Sequence, residues 1–355
     1  MIQNFLVRLL LAPFSLLYGV GVSLRNFFYS NNLLKGVEFD IPIISVGNLS
    51  LGGAGKTPHI EYLIRLLKDY INVATLSRGY KRKTKGFLIV LPSHNAEMTG
   101  DEPLQFRRKF DNILVTIAES RTFAIPKIIM DRPDTQAILL DDAFQHRSVK
   151  PGLNILLTEY ALPFTRDYLL PSGRLREARS AYHRADILII SKCPPQITEE
   201  EKINMIDEIK PFPMQRIYFS YYEYEQPYFF LQRNYVFPLK ENVDVLLICA
   251  IANTDYLLEY LYEKVNYVKA LEYADHHFFN SFDISNLKNE FDKIESDRKI
   301  ILTTEKDAMR LELHKDFILQ NKLPVYVLPV KVAFHFNEGK LFDKDVKDFL
   351  LNFRA

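Results

Sequence analysis

Ile43-Ile44-Ser45-Val46-Gly47-Asn48-Leu49-Ser50-Leu51-Gly52-Gly53-Ala54-Gly55-Lys56-Thr57-Pro58 joins an apolar, β-branched run to a segment of helical periodicity. The run Ile43–Val46 reads as a buried strand. Beyond Pro58, residues Ile60, Leu63, Ile64 and Leu67 recur at i, i+3, i+4 and i+7, one face of a helix. Between them, Gly52, Gly53 and Gly55 permit a tight turn whose N–H groups converge on one point. The positive end of the following helix adds to that field. Lys56 is placed to reach the β- and γ-phosphates of a nucleotide, and the Thr57 hydroxyl to ligate Mg²⁺. The expected phosphate cradle is therefore Ser50, Leu51, Gly52, Gly53, Ala54, Gly55, Lys56 and Thr57. Ser50 stands where the usual pattern G-x-x-x-x-G-K-[ST] has its first glycine, and Pro58 sits in the first turn, where an N–H has no helical partner anyway. The plainer alternative is a glycine-rich turn that carries Lys-Thr by coincidence.

Outward from this stretch the pattern repeats. Short apolar runs recur at Val73–Leu76, Ile113–Ile117, Ala137–Leu140, Ile155–Leu157 and Ile187–Ile190, then at Val245–Ile248, Ile300–Leu302 and Val325–Leu328. Runs that are apolar on both faces belong to parallel sheets covered by helices, so an α/β fold is expected: a mainly parallel sheet of the phosphate-loop NTPase kind in the N-terminal part and a smaller C-terminal α/β domain. The expected division is a helix over 1–30, a core over 31–215, a two-stranded aromatic connector over 216–242 and a second domain over 243–355.

The 355 residues hold 45 Lys+Arg against 44 Asp+Glu, a formal net charge of +1. That balance argues against nucleic acid as a partner. A hydrophobic content of 48% excludes a disordered chain. Two cysteines, Cys193 and Cys249, are too few and too far apart for a disulfide scaffold or a cysteine zinc site, and a reducing compartment fits. Nothing in the sequence indicates an oligomeric state.

From Leu9 to Leu24 no residue is charged, and Arg8, Arg25 and Lys35 are the only charges across residues 1–35. A helix over that run would span ~24 Å against a hydrocarbon core of ~30 Å. Pro13, Gly19 and Gly21 also interrupt it. The expectation is an interfacial helix with its basic residues towards anionic headgroups, not a spanning one. The alternative is a helix packed into the protein's own core.

The strand-like run Ala137–Leu140 ends in Asp141 and Asp142. Carboxylates at a strand end beside a phosphate cradle suit a hard cation such as Mg²⁺, and either acid could be the direct ligand. Gln145 and His146 follow as substrate contacts or as polar loop residues. Glu305-Lys306-Asp307 after one strand and Ser191-Lys192 at the end of another could help to read a base, or could cap helices. The basic group Arg78, Lys81, Arg82, Lys83 and Lys85 reads equally as a headgroup contact or a solvated loop.

Taken together, GGAGKTP (52–58), SRGY (77–80), GDEP (100–103), LDDAFQH (140–146), LPSGRLRE (170–177), ADHHFF (274–279) and TEKDAMRL (304–311) resemble the tetraacyldisaccharide 4′-kinases, the lipid A 4′-kinase family of Gram-negative bacteria. The motifs stand in the family's order over most of the chain. Ala143 replaces a common glycine, and Ser172 and Arg174 vary the loop before Arg176. The resemblance implies an ATP- and Mg²⁺-dependent kinase that phosphorylates the 4′-hydroxyl of a tetraacylated glucosamine disaccharide 1-phosphate, the lipid A precursor. It would sit as a monotopic protein on the anionic cytoplasmic face of the inner membrane. It also implies Thr57, Asp141 and Asp142 at the metal, Asp101 as general base and His276 as its partner, with His277 the adjacent alternative. Arg121, Gln145 and Arg176 would contact substrate or the transferring phosphate. Because 175 positions separate Asp101 from His276, their pairing suggests that the C-terminal domain closes on the N-terminal one. Two rivals remain at this level: an ATPase or GTPase that uses water, distinguished by hydrolysis without lipid, and a nucleotide-gated membrane scaffold that transfers no phosphate.

Overall fold

In the computed structural model, which describes residues 5–354, every one of these apolar runs lies in a strand to within one residue. The chain folds as an α/β protein with two compact units that interleave along the sequence. One unit comprises the chain up to Arg78, Asn112–Tyr222 and the chain from Val332; the other comprises Gly79–Asp111 and Glu223–Lys331.

The first unit is built on a parallel sheet. Seven of the sheet's nine strands run parallel in the order Arg216–Tyr224, Ile187–Ser191, Leu153–Glu159, Ile43–Asn48, Ala137–Asp141, Val73–Ser77 and Leu114–Ile117. The strand Ile43–Asn48 is central and buried throughout. It pairs on one side with Ala137–Asp141, so that Val46 faces Asp141, and on the other with Leu153–Glu159. Phosphate ligands of such sheets bind beyond the carboxyl ends of strands where the winding reverses, and the glycine stretch leaves the carboxyl end of this strand. Helix Lys56–Leu67 follows and buries Ile60, Leu63, Ile64 and Leu67, the stripe read from the sequence.

In the second unit, Tyr267–Glu272, Asp244–Cys249, Lys299–Thr304 and Val325–Leu328 lie parallel in that order, and Tyr228–Phe229 adds antiparallel to the last. The aromatic stretch 216–242 therefore divides its strands. Arg216–Tyr224 extends the first unit's sheet beside Ile187–Ser191. Tyr228–Phe229 and Gln232–Val236 form an irregular hairpin in the second. Helix Asp101–Lys109 packs on helix Glu305–Leu311, joined by Lys109–Glu305 at 2.6 Å and Arg108–Glu312 at 2.9 Å. These contacts place the segment Gly79–Asp111 in the second unit.

Residues 1–4 of the expected N-terminal helix lie outside the described residues. From Phe5 to Ser30 the helix is unbroken, 26 residues or ~39 Å. This corrects the reading of a short, interrupted segment. The helix is long and apolar enough to cross a membrane, with a mean hydropathy of 1.7 over an 18-residue stretch. Its tertiary contacts carry it through Pro13, Gly19 and Gly21. Ser15 Oγ donates to Ser172 Oγ at 2.7 Å, Tyr18 donates to the Arg176 carbonyl at 2.9 Å, and Asn26 donates to Glu177 at 2.7 Å. Arg147 donates to the Asn26 carbonyl at 2.8 Å. The stripe Arg8, Leu11, Ser15, Tyr18, Gly19, Val22, Asn26 and Tyr29 is the covered side. Leu6, Leu9, Leu10, Phe14, Leu16, Leu17, Val20, Leu24, Phe27 and Phe28 face outward. Ser15, Tyr18 and Asn26 thus point to the protein, and most of the large apolar side chains point away from it.

Gly47, in the central strand, passes close under the loop that follows Asp141. A Cβ there would lie 2.6 Å from the Phe144 Cβ and 2.9 Å from the Phe144 backbone nitrogen. Gly47→Ala is expected to destabilise the protein by about 1–3 kcal/mol, as overpacking against backbone does. A urea titration would show this as a lower midpoint; an unchanged midpoint contradicts the close approach.

Candidate active site

The glycine stretch forms a turn fastened at both ends. Ser50 bridges to Leu175, and Leu51 N–H donates to the Arg174 carbonyl at 2.6 Å. Gly55 ends the turn at φ 85°, a left-handed conformation that favours glycine, and begins the helix Lys56–Leu67. His59 braces it from below: Nδ1–H donates to the Gly55 carbonyl at 2.7 Å, so Nε2 accepts from the Ser220 hydroxyl at 3.0 Å. Ser191 Oγ donates to the Ala54 carbonyl at 2.8 Å. Lys192 is mostly buried near Glu159, at 3.7 Å, and burial pulls its ammonium below the usual lysine range.

Lys56 and the acidic pair share one network. Lys56 Nζ donates to Asn48 Oδ1 at 3.1 Å and lies 3.8 Å from Asp142. Arg176 grips both Asp142 oxygens at 2.8 and 3.1 Å, and also the Asn48 carbonyl at 2.8 Å and Asn48 Oδ1 at 2.5 Å. Burial would raise the Asp142 carboxyl, but Lys56 and Arg176, with a smaller contribution from His146, hold it well below the usual carboxylate range. Asn48 escaped the sequence reading; its one signal there is an amide at the end of an otherwise apolar strand.

The structure places Gln145 beside this network, where Nε2 donates to the Asn48 carbonyl at 3.0 Å. Burial and the charge of Arg121 hold the neighbouring His146 at about 4 against the pull of Asp142. Arg121 is only 2% exposed, and its guanidinium donates to the Ala118 and Asp141 carbonyls at 3.0 and 3.3 Å. It braces the strand end that carries the acids. Asp141 is buried and accepts from Ser77 Oγ at 3.3 Å.

Thr57, Asp141 and Asp142 offer only hard oxygen donors. Among the described residues no group of three or more His, Cys, Asp or Glu could hold a metal ion. That sparse oxygen set suits Mg²⁺, which takes one or two protein ligands and keeps waters and phosphate oxygens for the rest.

The second unit carries Asp101 at the start of helix Asp101–Lys109. Its Oδ1 accepts from the Glu102 N–H at 3.0 Å, and Oδ2 lies 3.0 Å from His276 Nδ1 and 3.5 Å from Arg310 Nη1. The pair is therefore complete within one compact unit. This corrects the inference that closure of one domain on another is needed to bring the two side chains together: the segment with Asp101 is itself part of the unit with His276. His277 turns elsewhere, with Nε2 at 2.8 Å from Asp283. Burial would raise the Asp101 carboxyl, but Lys306, the His276 hydrogen bond and Arg310 together hold it far below the usual range. Arg310 is fully buried and pairs with Asp307. Lys306 lies 3.1 Å from His276 Nε2 and 3.2 Å from Glu102. Thr304 caps the helix that carries Glu305, Lys306 and Asp307: its Oγ1 accepts from the Asp307 N–H at 3.1 Å. The basic loop is also engaged: Lys81 donates to the His276 carbonyl at 3.0 Å, and Lys83 pairs with Glu97 at 2.6 Å.

A sequence profile of the LpxK family, the tetraacyldisaccharide-1-P 4′-kinases, matches residues 7–350. The chain belongs to this family. It is 40% identical over 345 residues to the tetraacyldisaccharide 4′-kinase of Phocaeicola vulgatus, covering 96% of this chain and 94% of that one. The tetraacyldisaccharide 4′-kinase of Flavobacterium johnsoniae is 41% identical over 345 residues, 97% of this chain and 98% of its own. Among solved structures, the crystal structure of LpxK from Aquifex aeolicus in complex with ATP is similar at a TM-score of 0.73 and 30% identity, covering 97% of this chain and 99% of that one. LpxK membership fits both the phosphate cradle and the α/β architecture.

His59 supplies a pH test of the cradle. Burial holds its imidazole at about 4, against the Gly55 carbonyl, whereas the unfolded chain takes up the proton near ~6.5. Its contribution to stability is therefore whole above pH ~6.5 and is lost as pH falls from there towards 4. The loss amounts to roughly 3 kcal/mol over that window. His59→Asn should flatten the acid side of the stability profile relative to the parent, read as unfolding midpoints between about pH 7 and pH 5. Parallel profiles would show that His59 is not buried neutral.

Proposed function

We propose that this chain transfers the γ-phosphoryl group of ATP to the 4′-hydroxyl of a tetraacylated glucosamine disaccharide 1-phosphate, the reaction after which its family is named. The observation that carries the reading is the match to that family over residues 7–350, with the glycine cradle, the Asp141-Asp142 pair and the Asp101–His276 pair all present. Backbone N–H groups of Gly52, Gly53 and Gly55 and the Lys56 ammonium would take the phosphates, and Thr57 with Asp141 or Asp142 would hold Mg²⁺. The bound cation would neutralise charge on the phosphate oxygens. Arg176 and Asn48 keep Asp142 and Lys56 in register with each other. Arg176 and Gln145 are also the proposed contacts to substrate, whereas Arg121 acts through the strand end that it braces.

The acceptor oxygen bonds to the γ-phosphorus as the bond to the bridging oxygen of ADP breaks, and the hydroxyl proton passes to Asp101. A carboxylate held ionised is a weak base but a good acceptor. It suits a loose transition state in which the nucleophile needs orientation before it needs deprotonation. His276 donates to Asp101 and fixes its direction. Asp101→Asn is expected to lower turnover by roughly 10²–10⁴-fold while ATP binding persists. Labelled ATP, Mg²⁺ and a disaccharide 1-phosphate lipid provide the assay, with the product mapped for the phosphorylated position. Product at another position, or phosphate release that needs no lipid, would refute the reading.

The reading includes a peripheral place on an anionic membrane, at the cytoplasmic face of the inner membrane. Its support is the helix Phe5–Ser30, which is tied to the protein by its polar stripe and presents its large apolar side chains outward. Such a helix lies along the interface and is anchored from one side. Leu10→Glu with Leu17→Glu removes about 2 kcal/mol of burial at each site and adds negative charge. Sedimentation with anionic phospholipid vesicles should weaken by more than about tenfold. Undiminished sedimentation would rule out this face as the membrane contact.

A further inference from the structure

The Lys306 ammonium has three donors and no acceptor. It lies 3.1 Å from His276 Nε2, so that nitrogen must be the acceptor. A neutral ring that accepts at Nε2 carries its proton on Nδ1, and Nδ1 is 3.0 Å from Asp101 Oδ2. We propose that Lys306 is a positioning residue for the transfer reaction: it fixes His276 in the Nδ1–H tautomer, which aims the imidazole N–H at Asp101 and keeps the second ring nitrogen unprotonated. The step from tautomer to turnover rests on Asp101 being the base; the tautomer assignment does not.

The surroundings of the ring support the assignment. Asp275 Oδ2 lies 3.8 Å from His276 Nε2, beyond hydrogen-bond reach but close enough to take that contact if the ammonium were gone. In that case Nε2 would gain a proton. Lys306 is itself held by Glu102 at 3.2 Å and Asp275 at 3.8 Å. Burial would pull its ammonium down, but Glu102, Asp101 and Asp275 raise it above the usual lysine range, so it remains a donor. The ring is also fixed mechanically. His276 has φ 57°, unusual for a residue with a side chain, the Tyr80 ring meets it edge-on at 4.7 Å, and Lys81 holds its carbonyl at 3.0 Å. Arg310, 3.5 Å from Asp101, supplies the remaining charge. Asp101 thus receives a directed N–H from a neutral ring, not an ion pair from an imidazolium that could surrender its proton to the carboxylate.

The test is ¹⁵N NMR of the full chain with labelled histidine, the His276 signals being assigned by their loss in His276→Gln. The parent should show the Nδ1–H tautomer at assay pH. Lys306→Met should protonate Nε2 and lower kcat by about 10-fold or more, with KM for ATP unchanged within about twofold. Lys306→Arg, which keeps charge and donors, should restore the tautomer and most of the turnover. An Nε2–H or doubly protonated His276 in the parent overturns the proposal without any variant, so the test stands even if Lys306→Met fails to fold. Retention of the Nδ1–H signature in a folded Lys306→Met overturns it too. A shifted tautomer with unchanged kcat would overturn the positioning role while the tautomer assignment stands; Asp101→Asn tests the base separately.

Discussion

The double pairing of the strand Ile43–Asn48 is the constraint from which the phosphate site follows. Parallel neighbours on both sides fix its register, and Val46 faces Asp141 across one of them. The end of the central strand and the end of the acidic strand therefore arrive at the same level of the sheet. A slip along the pairing with Ala137–Asp141 would carry Asp141 and Asp142 away from Lys56. Asn48 then links them, because its side chain receives both Lys56 and Arg176. Arg176 comes from a loop 128 positions later and closes the network on Asp142. The charges stay half-buried with partners already in place, a preorganised arrangement in which little must rearrange when phosphate arrives.

The second unit solves a different electrostatic problem. Asp101 is buried, and a lone buried carboxylate would be neutral. The Lys306 and Arg310 charges and the His276 N–H keep it ionised, while Glu102, Asp275 and Asp307 compensate the two cations in turn. Such a cluster is costly to break at one member, because removing one charge leaves another buried without its partner. It is also directional. The ammonium on one ring nitrogen leaves the other to donate to Asp101, the carboxylate proposed as the base.

The N-terminal helix inverts the usual arrangement of an amphipathic element. Its polar stripe is spent on hydrogen bonds to the loop 169–177, the same loop that supplies Arg176 to the phosphate network. The apolar remainder, Leu10 and Leu17 among it, stays largely exposed. The helix is therefore coupled, through Tyr18 and the Arg176 carbonyl, to the residue that holds Asp142 beside Lys56.

Much of this was legible in the sequence because it is local. A glycine turn followed by Lys-Thr, a β-branched run before it and a 3.6-residue stripe after it are short-range patterns, and their physical causes act within a few residues. The apolar runs marked the strands for the same reason, and the family resemblance singled out Asp101 and His276. The uninterrupted helix was not legible, since Pro13, Gly19 and Gly21 break a helix by propensity and only contacts with a distant loop override it. Nor were Asn48, Arg310 and the placement of Lys306 on the imidazole. Those depend on which strand ends share a level and on residues 79–111 packing with 223–331, and both are decided by long-range pairing and burial. By itself the sequence determined which chemical groups the protein has and which short segments present them. Only the tertiary structure decided which charges meet, because a charge pair is set by distance in space, and distance between remote segments is fixed by how the sheets and helices pack.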